Sequence, residues 1–308
     1  MPLDAATTEL LAELARSTDP PLTELTPAQG RSLEMAELPG VAPQVASSDD
    51  VTIEGPNGDD LTVRILTPIE QGRGVIVYLH GGGWVLGSVN EYDAVCRELA
   101  NRSGCTVVVV DYRLAPESPF PAAVEDCWTA LKWVSDNLPR LAPVDSPIFV
   151  AGDSAGGNLA AVMAQLAAQT GEVALAAQVL IYPMIDTDLN TASHLDPENQ
   201  CLLTRDIIEW FWDHYAPEPE QRADPRSRPL LGTLSSELAP AIVLSCRYDV
   251  LLDEVNAYAD RLEEAGVPVV RHHFDDQMHG FFTLVGVLPG ALNAVRFIAE
   301  QLRTQLAQ

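Results

Sequence analysis

The stretch around Ser154 constrains the fold of this chain more than any other feature. It reads Phe-Val-Ala-Gly-Asp-Ser-Ala-Gly-Gly, and an alanine-rich helix is predicted to follow over 158–169. A serine at a sharp turn between a strand and a helix has strained backbone angles, so its neighbours two before and two after must be nearly free of side chain. Gly152 and Gly156 satisfy that need. A lone G-x-S-x-G occurs by chance, but the flanking strand and helix favour a nucleophilic Ser154 beside free helix N–H groups.

A second glycine motif follows another apolar segment. Residues 75–80 read Val-Ile-Val-Tyr-Leu-His, and Gly81-Gly-Gly-Trp84 comes directly after them. Without side chains, this backbone can approach a substrate oxygen and offer its N–H groups to a developing negative charge. A phosphate-binding loop is the alternative, but the Gly-Lys-Ser/Thr that such a loop requires does not follow. The two glycine motifs together favour acyl transfer.

An acid and a histidine should follow the serine in that order. A buried strand is predicted over 241–246, and Asp249 comes just after it. Asp253 and Glu254 are alternative acids. They lie in the predicted first turn of the next helix, where carboxylates are favourable in any case. We therefore prefer Asp249 as the acid.

His279 is the best candidate for the base. It lies beside a glycine in a loop predicted to follow a strand over 267–274. His272 and His273 fall inside that predicted strand, and we interpret both as structural. The remaining histidines are weaker candidates for the base. His80 precedes the glycine run and is expected to brace it. His194 and His214 lie in a polar middle region without a predicted strand nearby.

These motifs together resemble the hormone-sensitive-lipase-like group of α/β-hydrolases, the bacterial family IV carboxylesterases. The matching segments occur in the family's order and span most of the chain: His80-Gly-Gly-Gly83, Asp111-Tyr-Arg-Leu-Ala-Pro-Glu117, Gly152-Asp-Ser-Ala-Gly-Gly157, Tyr182-Pro183, Tyr248-Asp249 with Asp253-Glu254, and His279-Gly-Phe281. Where the family often has Asp-Pro-Leu, this chain has Asp249-Val-Leu251.

The resemblance implies roles for single residues. Ser154 would be the nucleophile, His279 the base and Asp249 the residue that orients the base. The oxyanion donors carried over are backbone amides, those of Gly82, Gly83 and Ala155. No metal or organic cofactor is needed for this chemistry.

The fold class predicted is α/β: an α/β-hydrolase fold with a central, mostly parallel sheet flanked by helices and a helical cap. Strand and helix patterns alternate along much of the chain, as a parallel sheet requires. They are preceded by two helical patterns, Asp4–Arg16 and Pro27–Leu38, and by a hairpin signal between Val51–Glu54 and Leu61–Leu66. The predicted divisions are N-terminal cap helices (1–45), the first part of the catalytic domain (46–184), a cap insertion (185–235) and the second part of the catalytic domain (236–308).

The insertion contains the aromatic run Trp210-Phe211-Trp212. Three successive helical residues cannot all face one core, so two of them can pack inside the cap while the third is exposed. Alternatively, they form part of a substrate pocket, because pockets are lined chiefly by apolar and aromatic side chains. We assign Trp84, Phe211 and Trp212 as candidate substrate-binding residues.

Composition limits the partners and the setting. The five cysteines show no metal-ligand spacing and their number is odd, which favours reduced thiols in the cytoplasm. We expect no secretory signal, and no apolar run approaches the length of a membrane span. The net charge of −26 disfavours nucleic acid and anionic lipid as partners. Whether the chain forms a homodimer is left open.

The function predicted is hydrolysis of small esters with acyl groups of about two to eight carbons. An arylformamidase or amide hydrolase would use the same residues and stays open. A non-catalytic binding protein of this fold is disfavoured because Ser154, Asp249 and His279 are all present. A peptidase is disfavoured because no propeller repeats precede the hydrolase motifs.

Overall fold

The computed structural model describes residues 2–34, 42–70 and 72–306. Within them, eight strands form one sheet in the order β1-β2-β4-β3-β5-β6-β7-β8. The strands are β1 (Ser47–Glu54), β2 (Asp60–Thr67), β3 (Val75–Leu79), β4 (Thr106–Val110), β5 (Ile148–Asp153), β6 (Leu175–Ile181), β7 (Ala241–Tyr248) and β8 (Val269–Met278).

The sheet is mostly parallel, as the alternating pattern predicts. Strands β3 to β8 all run parallel to one another, whereas β2 is antiparallel to both of its neighbours, β1 and β4. Every residue of β3, β4 and β5 is buried. Parallel strands covered on both faces read as continuous apolar runs, which is why these segments are easily recognised in the sequence.

Helices cover both faces of the sheet. Within the described residues they are α1 (Ala5–Leu14), α2 (Pro27–Glu34), α3 (Asp93–Ser103), α4 (Ala122–Asp136), α5 (Leu138–Leu141), α6 (Ala155–Thr170), α7 (Ala192–Leu195), α8 (Arg205–Tyr215), α9 (Pro219–Arg222), α10 (Leu252–Glu264) and α11 (Pro289–Leu306). Helices α3 and α11 pack in one apolar cluster, and α4, α6 and α10 pack in the other. This arrangement confirms the predicted α/β class, with a central, mostly parallel sheet flanked by helices.

Several predicted bounds differ from those observed. Helix α6 begins at Ala155 rather than at 158, because the turn at the serine leads directly into the helix. Strand β8 runs on to Met278, so the segment 275–278, predicted as a loop, belongs to the sheet. Its two aspartates are tolerated because β8 is an edge strand with exposed positions. The last residues of the predicted helix Pro27–Leu38, from 35 on, lie outside the described residues.

The segment 185–235 adds no strand to the sheet. It contains the short helices α7, α8 and α9 and joins the cluster that also contains α4 and α6. Helix α8 buries Ile208, Phe211, Trp212 and Tyr215 and contacts the 3-10 turn Leu22–Glu24. The N-terminal residues and this segment therefore meet beside the loop that follows β3, where Phe211 lies against Gly83.

Candidate active site

The turn at Ser154 has the strained geometry that its sequence predicts. Ser154 has φ 54° and ψ −120° and forms the N-terminal cap of α6. A Cβ on Gly152 would lie 2.2 Å from the carbonyl oxygen of Gly156, and one on Gly156 would lie 2.0 Å from that of Leu79. Both positions must therefore be glycine. The Ser154 N–H donates to Ile181 at 2.9 Å, which fixes the turn to the next strand.

Three side chains from separate loops meet at this turn. The Ser154 Oγ lies 3.0 Å from His279 Nε2, and His279 Nδ1 lies 2.9 Å from Asp249 Oδ2. All three residues are buried. The other carboxylate oxygen of Asp249 accepts from the Leu251 N–H at 2.9 Å. The carboxylate is therefore oriented from its own loop as well as by the imidazole.

Strand pairing explains why the acid and the histidine meet. Tyr248 and Met278 are paired residues of β7 and β8, so Asp249 and His279 leave adjacent strands side by side. The His279 N–H also donates to the Tyr248 carbonyl at 3.1 Å. The pairing register shifts between Cys246 and Tyr248. Such irregularities re-aim side chains at the ends of strands.

The two alternative acids have other partners. Asp253 accepts from the Ser193 N–H at 2.8 Å. Glu254 accepts from the N–H groups of Ile185 and Asp186, and burial raises the pKa of its carboxyl group. Both carboxylates therefore hold the segment 185–235 against α10, and neither is hydrogen-bonded to His279.

The other histidines form structural contacts. His273 Nδ1 is 2.8 Å from Ser245 Oγ, and the His272 ring stacks on Phe297. His194 and His214 are hydrogen-bonded within their own short segments. His80 is fully buried, which lowers its pKa to about 4, and its Nδ1 lies 2.8 Å from the Gly81 carbonyl. A neutral His80 therefore braces the start of the glycine loop.

The glycine loop bends sharply beside the serine turn. Gly82 and Gly83 have φ values of 101° and 60°, and the N–H groups of Val85 and Leu86 both donate to the Gly82 carbonyl. Among the described residues, the N–H groups of Gly82, Gly83 and Ala155 have no hydrogen-bond acceptor. Free N–H groups next to a reactive hydroxyl are the arrangement that stabilises an oxyanion.

Asp153 joins the two loops, and the sequence reasoning did not single it out. Its buried carboxylate accepts from Tyr78 Oη at 2.8 Å, from Tyr92 Oη at 3.1 Å and from the Gly81 N–H at 3.1 Å. Burial raises the pKa of Asp153 to about 6. Its donors lie 61 to 75 residues away in the chain. Only its place inside the serine motif could have drawn attention to it.

The three aromatic candidates lie beside the glycine loop. Trp84 stacks on Tyr215 with ring centroids 4.1 Å apart and contacts Trp212 at 4.8 Å. Phe211 lies directly against Gly83. All three candidates, Trp84, Phe211 and Trp212, are buried, and Trp210 is only partly buried. Two of the three aromatic residues in the run therefore face inward, as helix geometry requires.

Within residues 2–34, 42–70 and 72–306, no cluster of three or more His, Cys, Asp or Glu side chains could hold a metal ion. In the same ranges, no helix combines the length and apolar character that a bilayer crossing demands.

Comparison with known proteins identifies the family. Residues 76–283 match a family described by its alpha/beta hydrolase fold. The chain belongs to the α/β-hydrolase family. Ethyl acetate hydrolase of Pseudomonas putida is 36% identical over 88% of this chain and 87% of its own length. Carboxylesterase NlhH of Mycobacterium tuberculosis is 39% identical over 76% of this chain and 75% of its own length.

A solved structure of an esterase from Pyrobaculum calidifontis matches over the full length of both chains, with a TM-score of 0.90 and 39% identity. The α/β-hydrolase fold and the hormone-sensitive-lipase-like group indicated by the motifs are thus confirmed. Within this α/β-hydrolase, the candidate site lies at the carboxyl ends of the parallel strands, where ligands bind in open α/β sheets and where the loops after β3, β5, β7 and β8 converge.

Proposed function

We propose that this α/β-hydrolase is a serine carboxylesterase that hydrolyses short- to medium-chain acyl esters through an acyl-enzyme. The observation that carries the proposal is the hydrogen-bonded series Ser154–His279–Asp249. It lies beside backbone N–H groups that have no acceptor among the described residues. The names of the relatives, an ethyl acetate hydrolase and a carboxylesterase, support the same class of reaction.

In the first half of the reaction, Ser154 Oγ attacks the ester carbonyl and its proton passes to His279 Nε2. Asp249 holds Nδ1–H of the imidazole and stabilises the imidazolium that forms. The oxyanion of the tetrahedral intermediate accepts hydrogen bonds from Gly82, Gly83 and Ala155, each contributing about 3 kcal/mol. The intermediate collapses when His279 returns the proton to the departing alkoxide, which leaves as the alcohol.

In the second half, water takes the place of the alcohol. His279 removes a proton from the water, whose oxygen attacks the acyl carbonyl on Ser154. The second tetrahedral intermediate uses the same N–H donors. Its collapse releases the carboxylic acid and returns the proton to Ser154, so the enzyme is regenerated without a redox step or an added group.

The segments 1–45 and 185–235 are proposed to form a cap over this site, between catalytic parts at 46–184 and 236–308. Support comes from the contact of α8 with the turn Leu22–Glu24 and from the position of Phe211 on Gly83. Glu254 and Asp253 tie the beginning of the second segment to α10. A cap anchored in this way restricts the room available to the acyl group.

We propose Trp84, Phe211 and Trp212 as the residues that limit acyl length, to about two to eight carbons. The test is a series of p-nitrophenyl esters of rising acyl length, measured beside aryl formamides. We expect kcat/KM to peak within that range and to exceed the value for formamides. A higher kcat/KM for aryl formamides would instead identify an arylformamidase. The cytoplasmic location stays a prediction.

A further inference from the structure

The side chain of Arg31, on α2, reaches the backbone next to the glycine loop. Its Nε donates to the Val85 carbonyl at 2.7 Å, and one terminal nitrogen donates to the Ala115 carbonyl at 2.7 Å. Both terminal nitrogens also pair with the carboxylate of Glu117 at 3.0 and 2.8 Å. A guanidinium can satisfy three acceptors at once because its donors are fixed in one plane.

The two carbonyls belong to segments that are already paired with each other. The Ala115 N–H donates to the Trp84 carbonyl at 2.9 Å. Arg31 donates to one carbonyl in each segment, that of Val85 and that of Ala115, so one guanidinium bridges both backbone segments. Val85 and Ala115 are fully buried, and no other donor reaches their carbonyls among the described residues. Buried carbonyls that lose their donors are unfavourable, so the local backbone would rearrange without Arg31.

Helix α2 also approaches this loop closely through apolar contact. A Cβ on Gly30 would lie 3.2 Å from Leu86 Cδ2 and 2.9 Å from Leu22 Cδ1. The position of Arg31 is therefore set by packing as well as by its ion pair. The hydrogen bond from Arg31 lowers the pKa of Glu117, which keeps that carboxylate charged.

We propose that Arg31 is a positioning residue for ester hydrolysis. Its guanidinium holds the backbone just after Gly82 and Gly83, so that their N–H groups face the substrate oxygen. The role rests on the proposed esterase function. Through Arg31, the N-terminal segment would support catalysis as well as form part of the cap, although Arg31 itself touches no reacting atom.

The test compares Arg31→Gln with Arg16→Gln, which removes the same charge from an exposed position of the N-terminal segment. The substrate is p-nitrophenyl butyrate. The inhibitor is an aryl trifluoromethyl ketone, which adds reversibly to Ser154 and places an oxyanion among the same N–H donors. For Arg31→Gln we expect kcat and ketone affinity each to fall about tenfold with KM little changed. Arg16→Gln should match the wild type.

Two further variants separate positioning from folding. Glu117→Gln keeps both carbonyl contacts of Arg31 and should lower kcat less than Arg31→Gln does. Guanidinium chloride at millimolar concentration should restore part of the kcat of Arg31→Ala, because the free ion fits the vacated acceptors, whereas sodium chloride should not. If Arg31 only stabilised the fold, we would see neither the smaller effect of Glu117→Gln nor the rescue of Arg31→Ala by the guanidinium ion.

The outcomes distinguish this role from the proposed function. A wild-type protein that hydrolyses no ester of the series would overturn both. An active wild type with Arg31→Gln and Arg16→Gln equal in kcat would overturn the positioning role alone. So would a fall in melting temperature for Arg31→Gln with unchanged ketone affinity, because Arg31 would then be structural.

Discussion

The ring of Phe211 occupies the space that a side chain on Gly83 would need. A Cβ at Gly83 would lie 2.1 Å from two carbon atoms of that ring. The glycine therefore serves two purposes: it allows φ of 60°, and it lets α8 approach the loop that supplies the oxyanion donors. The loop and the segment 185–235 are thus packed as one unit.

Gly83→Ala should separate these two requirements when it is compared with Gly171→Ala. Both glycines have a positive φ, 60° at Gly83 and 68° at Gly171, but a Cβ at Gly171 would meet nothing within 4 Å. Gly171→Ala should lower the free energy of unfolding by about 1 kcal/mol and leave activity unchanged. Gly83→Ala should in addition lower kcat about 10²-fold, because Phe211 or the loop must move. Equal kcat in the two variants would contradict this account.

Ser154→Ala should fold normally and lower ester hydrolysis about 10⁶-fold, since the nucleophile is lost. Circular dichroism and kcat for p-nitrophenyl butyrate measure the two effects. A fluorophosphonate should label the wild-type protein at Ser154 alone, as mapped by mass spectrometry. Retention of a tenth of the activity, or labelling of another serine, would remove Ser154 from this role.

Asp249→Asn should lower kcat about 10⁴-fold with little change in KM, because the amide favours the wrong tautomer of His279. Asp253→Asn is the matched control. Its carboxylate accepts from the Ser193 N–H and not from His279, so the variant should retain most of its activity. If Asp253→Asn proved the more damaging change, Asp249 would not be the acid.

Asp153→Asn should change how stability depends on pH. The folded-state pKa of Asp153 is raised to about 6 from an ordinary value of 3.8, so the folded state binds this proton more tightly than the unfolded chain. The resulting stabilisation is full below pH 3.8 and is lost as the pH rises through about 6. The variant stays neutral throughout.

As the pH rises from 3.8 through about 6, the wild type loses this stabilisation and the variant does not. The free energy of unfolding of Asp153→Asn should therefore rise relative to that of the wild type by about 3 kcal/mol. Urea unfolding at several pH values measures the difference. A difference that does not vary with pH would mean that Asp153 has an ordinary pKa in the folded protein.

Phe211→Ala should move the optimum toward longer acyl chains, because it opens space next to Gly83. Trp210→Ala, on the same helix but only partly buried, is the control and should leave the optimum unchanged. Trp84→Ala or Trp212→Ala should shift the optimum in the same direction, but each should also cost about 3–5 kcal/mol of stability. Efficient wild-type hydrolysis of emulsified long-chain triglycerides would contradict the short-chain prediction.

Local sequence was sufficient for those features that depend on neighbouring residues. The turn at Ser154 requires glycine at 152 and 156 because backbone atoms fill the space around both. The apolar runs of β3, β4 and β5 identify strands buried on both faces. The order of these motifs along the chain predicted the fold, and the carboxylate nearest the end of β7 predicted Asp249.

Contacts between distant residues were decided only by the tertiary structure. His279 meets Asp249 across 30 residues because β7 and β8 pair, and Arg31 reaches Val85 across 54 residues because α2 packs on the glycine loop. The tertiary structure also determines which groups donate to Asp153, and that Phe211 and Trp212 are the buried members of the aromatic run. Such contacts depend on how strands and helices pack across the whole chain, and no local pattern of residue types encodes that packing.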